Sequence, residues 1–169
     1  LTTITLVVGE IYIVSQGGEI LDAASLGKTF LVIILCAFSN TAMLLFLISF
    51  IKSEGAFAGA STIVGTMIGF LTGIYVNIGS LPEAMQMMVK IFPPSHGALL
   101  LRQILGEELI AEGFDGAPAQ VESDFREVMG ISFFFGDTEV EPWMSMGILL
   151  VSGTVFFLLA IWRLSMKKK

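Results

Sequence analysis

A lone histidine, one carboxylate inside an apolar run and a single cysteine are the residues of this chain best suited to chemistry. His96 is the only histidine. A metal site would need companions, and no neighbouring cysteine or second histidine exists to complete a zinc set. The carboxylates between Gly106 and Pro142 are numerous enough for calcium, yet no Asp-x-Asp-x-Asp-Gly spacing occurs among them. Ser61 follows Gly59-Ala60, part of the setting of an intramembrane serine nucleophile, but no histidine lies on another apolar run to serve as its base. A Gly-rich loop ending in Gly-Lys-Ser/Thr is missing, so the sequence has no P-loop for ATP. Cys36 has no partner for an intrachain disulfide and lies amid apolar residues, where a thiol is a small hydrophobe. No catalytic residue, metal or cofactor is expected of this chain.

Two polar residues and a row of glycines remain. Glu10 is the only ionisable residue inside an apolar run, and a carboxylate at such depth marks a pathway or a partner. It is also only ~9 Å from Gln16 at the helical rise of ~1.5 Å per residue, so both a hydrated glutamate and a substrate contact fit. Asn40, in Ser39-Asn40-Thr41, reads either as polar glue between helices or as a cavity residue. Gly55 and Gly59, then Gly65, Gly69 and Gly73, recur every four residues, a spacing that lets helix backbones approach closely. That seam can be fixed packing or a surface that slides; the two are compatible.

The elements that must position these residues are set by lipid. Residues 29–51, 58–78 and 143–162 are apolar and free of Asp, Glu, Lys and Arg, and each has about the 20 residues that ~30 Å of hydrocarbon requires. With 54% hydrophobic residues and a mean hydropathy of +0.84, the chain reads as an integral membrane protein. The opening run, 4–14, is too short to span and is expected to belong to a further, truncated helix of a larger protein. The fold class is therefore all-α: three full spans plus one partial span in a single transmembrane domain over 1–169.

Charge assigns the sides. Arg163 and Lys167 to Lys169 close the last run, so the positive-inside rule predicts a cytoplasmic C-terminus. A basic tail beside a span is explained by orientation and anionic lipid, not by nucleic acid. Residues 52–55 then form a cytoplasmic link, 17–28 a short outer turn, and 79–142 an outer region. Within that region lie Glu107, Glu108, Glu112, Asp115, Glu122, Asp124, Glu127, Asp137, Glu139 and Glu141, against a single arginine, Arg126, between Gly106 and Pro142. From Leu81 to Phe92 the spacing of Met85, Met88, Val89 and Phe92 predicts an amphipathic helix. Pro93-Pro94 is expected to end it, and Ser95 to cap a second helix through Leu105. The pair is apolar enough to dip into the outer interface. A further helix is expected around 120–129 and an apolar knot at 131–135.

The stretch Gly69-Phe-Leu-Thr-Gly-Ile-Tyr-Val-Asn-Ile-Gly-Ser-Leu-Pro82, continued by Lys90-Ile-Phe-Pro-Pro-Ser-His96 and Leu101-Arg-Gln-Ile-Leu105, resembles the permease subunit of type-2 ABC transporters. In that family a span ends in a Gly-containing tip followed by Leu-Pro. A short helix, a proline break and an Arg-bearing helix then precede the last span. Gly73, Leu81-Pro82, Pro93-Pro94 and Arg102 occupy those positions here, over what corresponds to the C-terminal part of a six-span permease. The resemblance implies an ATP-driven exporter of a drug, peptide, lipid or polysaccharide, in which two permease halves pair with two ABC ATPase subunits or domains that hydrolyse the ATP. It implies an ATPase contact at Lys52, Ser53, Glu54 and Phe57. It also implies an external gate at Leu81, Pro82, Pro93, Pro94, His96 and Arg102; the residues themselves suggest a cavity near Glu10 and Asn40 and helix packing at Gly59, Gly65, Gly69 and Gly73. Arg102 would hold the turn against the acidic loop or meet lipid headgroups. The alternative to an exporter is a non-transporting assembly or immunity factor whose acidic outer loop binds a partner.

Overall fold

The structure, a computed structural model, describes residues 7–9, 11, 15, 22–136 and 138–166. Glu10 and Lys167 to Lys169 lie outside the described residues. Among the described residues the fold is all-α apart from one minimal hairpin.

Helix α1, Ala23–Ile48, starts where the Asp22 carboxylate accepts from the amides of Ala24 (3.2 Å) and Ser25 (3.0 Å). An aspartate cap satisfies amides that have no partner within the helix. With that cap and Ala23-Ala24 behind it, the second half of the outer turn expected over 17–28 is helical instead. Helix α2, Glu54–Leu71, is capped by Ser53, whose Oγ accepts from the Ala56 amide at 3.2 Å. It ends well before Ile78, the expected limit. Gly73 turns left-handed (φ 73°), and the amides of Ile74 and Tyr75 fold back onto the Gly69 carbonyl at 3.0 and 3.2 Å. A glycine in this conformation closes a helix however apolar the residues beyond it are.

The expected helix-break-helix is present with its break shifted. Helix α3, Glu83–Ile91, and helix α4, Pro93–Gly113, are separated by Phe92 alone, which is extended (φ −76°, ψ 118°). The two prolines open α4 instead of terminating α3, because first-turn amides need no partner and proline lacks one. Ser95 therefore lies inside the first turn and is not its cap. Helix α5, Ala119–Val128, comes next, then strands β1, Phe134–Phe135, and β2, Thr138–Glu139, which pair antiparallel with Phe134 opposite Glu139. Helix α6, Pro142–Met166, completes the described chain.

Helices α1 and α6 pack along their lengths, and α4 packs against both. The crossings are close. At Gly153 of α6 an added Cβ would meet the Phe38 ring at 2.7 Å and the Ser39 Cα at 3.0 Å, and at Gly97 of α4 it would run into Cys36 Sγ. Close approach at small residues is how helices associate in lipid, where no hydrophobic force draws them together. Ser39 and Ser152 add a hydroxyl bond across α1 and α6 at 3.2 Å. Val32, Val89, Leu99, Leu100, Phe133 and Leu149 form the core. Among the described residues, α1, α2 and α6 are the helices long and apolar enough to cross a membrane; at ~1.5 Å per residue they reach roughly 39, 27 and 38 Å. Helix α2 stands apart. Its only buried residues are Gly69 and Leu71, and its main packing partner is α3.

Candidate functional site

The residues expected at a gate converge where α3, α4, the end of α2 and the start of α6 meet. Leu81 is buried, Pro82 precedes α3, and Pro93 and Pro94 form the first turn of α4. His96 is next along that helix, with none of its surface exposed. Its Nε2 lies 2.9 Å from the Lys90 carbonyl, and its Nδ1 lies 3.0 Å from Ser145 Oγ in α6. A carbonyl can only accept, so Nε2 carries the proton and Nδ1 accepts from the serine hydroxyl. Phe133 packs edge-on against the ring, centroids 5.7 Å apart. Burial pushes the imidazole below its ordinary pKa, opposed in part by the bond to the Lys90 carbonyl. The ring is thus a neutral crosslink between α3, α4 and α6.

Arg102, two turns further along α4, reaches the other way. Its Nη2 donates to the carbonyls of Thr72 (2.8 Å) and Gly73 (3.1 Å), and Ser95 Oγ donates to the Leu71 carbonyl at 2.8 Å. The last carbonyls of a helix lack partners within it, and they carry the negative end of its dipole. Arg102 was expected to hold the turn against the acidic loop or to meet lipid headgroups; it holds the turn through the turn's own carbonyls, and no described carboxylate forms an ion pair with it. Nη1 is buried without a partner among the described residues.

Much of the acidic segment is occupied internally. Arg126 of α5 bridges Glu122 on its own helix (2.8 Å) and Glu107 of α4 (3.1 Å). The bond to Glu107 above all, opposed by burial and reinforced by Glu122, holds the guanidinium above its usual pKa. Lys90 approaches Glu127 at 3.8 Å, Ser132 Oγ donates to Glu139 at 2.6 Å, and Trp143 Nε1 donates to Glu141 at 2.7 Å. Gln103 Nε2 donates to the Ile131 carbonyl, fixing the apolar knot onto α4.

The remaining expected residues do not join this cluster. Lys52, Ser53, Glu54 and Phe57 are at the opposite end of α2, exposed apart from the capping role of Ser53. Among the described residues Gly59 and Gly65 have no neighbour within 4 Å of where a Cβ would stand, whereas Gly69 lies against the Tyr75 ring and Gly73 forms the turn. Asn40 sits in α1, its Oδ1 buried without a described partner. Sequence reasoning missed Ser145, the carbonyl-binding role of Ser95, and Gly130, whose left-handed φ of 68° brings the end of α5 beside Ile78 and Arg102. A glycine after a predicted helix was the one available signal; Ser145 offered none.

A bundle of apolar helices with a proline-broken pair bonded between two spans narrows the families that fit. The sequence profile of the ABC-2 family transporter proteins matches residues 1–162. The chain belongs to the ABC-2 transporter family. No curated protein and no solved structure matches it. Members of this family are transmembrane components of ABC transporters, working in a lipid bilayer with an ABC ATPase and not themselves the ATPase. The multi-pass membrane architecture is supported by both the family and the helices. An apolar groove of about 570 Å³ opens between α6 and the α3–α4 break, with the last residue of α2 at its edge, lined by Leu71, Met88, Phe92, Pro93, Ile148 and Phe156.

Proposed function

We propose that this ABC-2 protein is the permease component of an exporter, with α3 and α4 on the outer side and the C-terminus in the cytoplasm. The observation that carries the reading is the suspension of α3 and α4 between the end of α2 and the start of α6, at the opposite end of α2 from residues 52–57. In this reading Lys52, Ser53, Glu54 and Phe57 meet the ATPase, and ATP-driven closure tilts α2. The gate residues Leu81, Pro82, Pro93, Pro94, His96 and Arg102 then open a cavity outward. The exposed Gly59 and Gly65 side of α2 faces the second permease half. Within the range of drugs, peptides, lipids and polysaccharides, the groove along α6 supports an apolar or amphipathic cargo.

The test is to reconstitute the intact protein with its ATPase in lipid. Co-purification and faster ATP hydrolysis in its presence are expected. An ATPase whose rate is indifferent to the permease across candidate cargoes would overturn the exporter reading and favour a partner-binding role for the acidic region.

A further inference from the structure

Helix α4 presents two faces to two different spans. Ser95 and Arg102 are seven residues apart, two helical turns, and so share a face. From that face three hydrogen bonds enter the end of α2: Ser95 Oγ to the Leu71 carbonyl, and Arg102 Nη2 to the carbonyls of Thr72 and Gly73. His96, one residue on from Ser95, points instead at Ser145 in α6. The guanidinium is walled in by two left-handed turns. A Cβ at Gly73 would lie 2.9 Å from Ile78 and 3.2 Å from Arg102 Nη2; one at Gly130 would lie 3.3 Å from Nη1 and collide with Ile78.

With no described carboxylate paired to it, Arg102 has the carbonyl end of α2 as its counter-charge. Pulling α2 away from α4 would strand a half-buried cation and three carbonyls together, and a partner lost from a buried polar set costs more than its bond contributes. Between α2 and α3 the chain itself transmits little. Residues 72–77 are an irregular turn, and α2 has few packed contacts of its own.

We propose that Arg102, together with Ser95, is a positioning residue that makes α4 travel with the end of α2, so that a tilt begun at the Ser53 end reaches the α3–α4 pair and is not lost in the 72–77 turn. The proposal rests on the permease reading and adds the residues that carry the motion. The opposite arrangement is equally definite: α3 and α4 stay fixed to α6 through His96, and α2 moves past them.

The experiment uses the intact permease with its ATPase in lipid nanodiscs, in a Cys36→Ser background with spin labels at Met87→Cys in α3 and Trp143→Cys in α6. Distances are measured nucleotide-free and after trapping with ATP and vanadate. The expected result is a shift in the distance distribution on trapping. That shift is lost in Arg102→Gln, reduced in Ser95→Ala and partly restored in Arg102→Lys, while hydrolysis by the ATPase stays within twofold in all three. A thermal unfolding curve on each variant separates this from simple misfolding, since a merely structural role would lower the melting temperature without abolishing the shift in the folded fraction. A full shift in Arg102→Gln overturns the proposal, as does no shift in the parent complex while hydrolysis is still stimulated. If the parent permease neither binds nor stimulates the ATPase, the permease reading fails first, and that outcome is read from hydrolysis alone.

Discussion

His96 holds a proton on one ring nitrogen and accepts one on the other; Ser145 is buried with it and Lys90 is half-buried. Replacing it by alanine leaves the Lys90 carbonyl and the Ser145 hydroxyl unpaired and opens a hole. We expect a loss of about 3 kcal/mol in thermal or denaturant unfolding of the solubilised protein. The pH dependence has a definite sign. Because burial lowers the folded-state pKa of the imidazole, its neutral form is intact above the ordinary value near 6.5. Below that value the unfolded chain takes up the proton first, so stability falls as the pH drops toward the lowered folded value. The melting temperature of the parent protein should decline below about pH 6.5, and His96→Gln should remove that part of the decline; an unchanged acid profile would show that His96 is not the group responsible. The sequence exposed His96 as singular and placed it beside the proline break. It could not expose Ser145, 49 residues away, because a buried serine in an apolar run carries no periodic or spacing signal.

The helices show where apolarity informs and where it misleads. Hydropathy located the spans correctly, since lipid imposes both their length and the exclusion of charge. It failed at their ends, which are decided by backbone chemistry: the Asp22 cap extends α1, and the left-handed Gly73 cuts α2 short. The double proline was legible as a break but was assigned to the wrong helix, because proline ends one helix and starts the next with equal ease. Ser95 separates the two readings. Were it an N-cap, aspartate would serve as well or better. Facing the Leu71 carbonyl, a carboxylate is repelled, so Ser95→Asp should destabilise more than Ser95→Ala, which should itself cost about 1–2 kcal/mol. A Ser95→Asp variant as stable as the parent, with Ser95→Ala the weaker of the two, would argue for the cap. Helix α2 gives the complementary case. An added Cβ at Gly65 would meet no neighbour within 4 Å among the described residues, so Gly65→Leu should leave the folded protein at least as stable, leucine being the better helix former by about 0.8 kcal/mol. If that face meets the second permease half, the same change should lower the dimer fraction several-fold in crosslinking or light scattering. An undiminished dimer would place the second half elsewhere.

At the scale of the whole molecule, sidedness decides what the protein can do. The α3–α4 pair, which leads into the acidic segment, lies at the opposite end of α2 from the exposed turn at residues 52 and 53, and the ABC-2 family supplies the role of transport component with an ABC ATPase. Everything proposed about gating needs that helix pair and that turn on opposite sides of the bilayer. The direct measurement is cysteine accessibility in cells expressing the intact protein, with Cys36→Ser combined singly with Glu112→Cys or Ser53→Cys and a membrane-impermeant maleimide. This opposed placement predicts that Glu112→Cys is labelled on intact cells and Ser53→Cys only after permeabilisation. Labelling of both variants from the same compartment would contradict it.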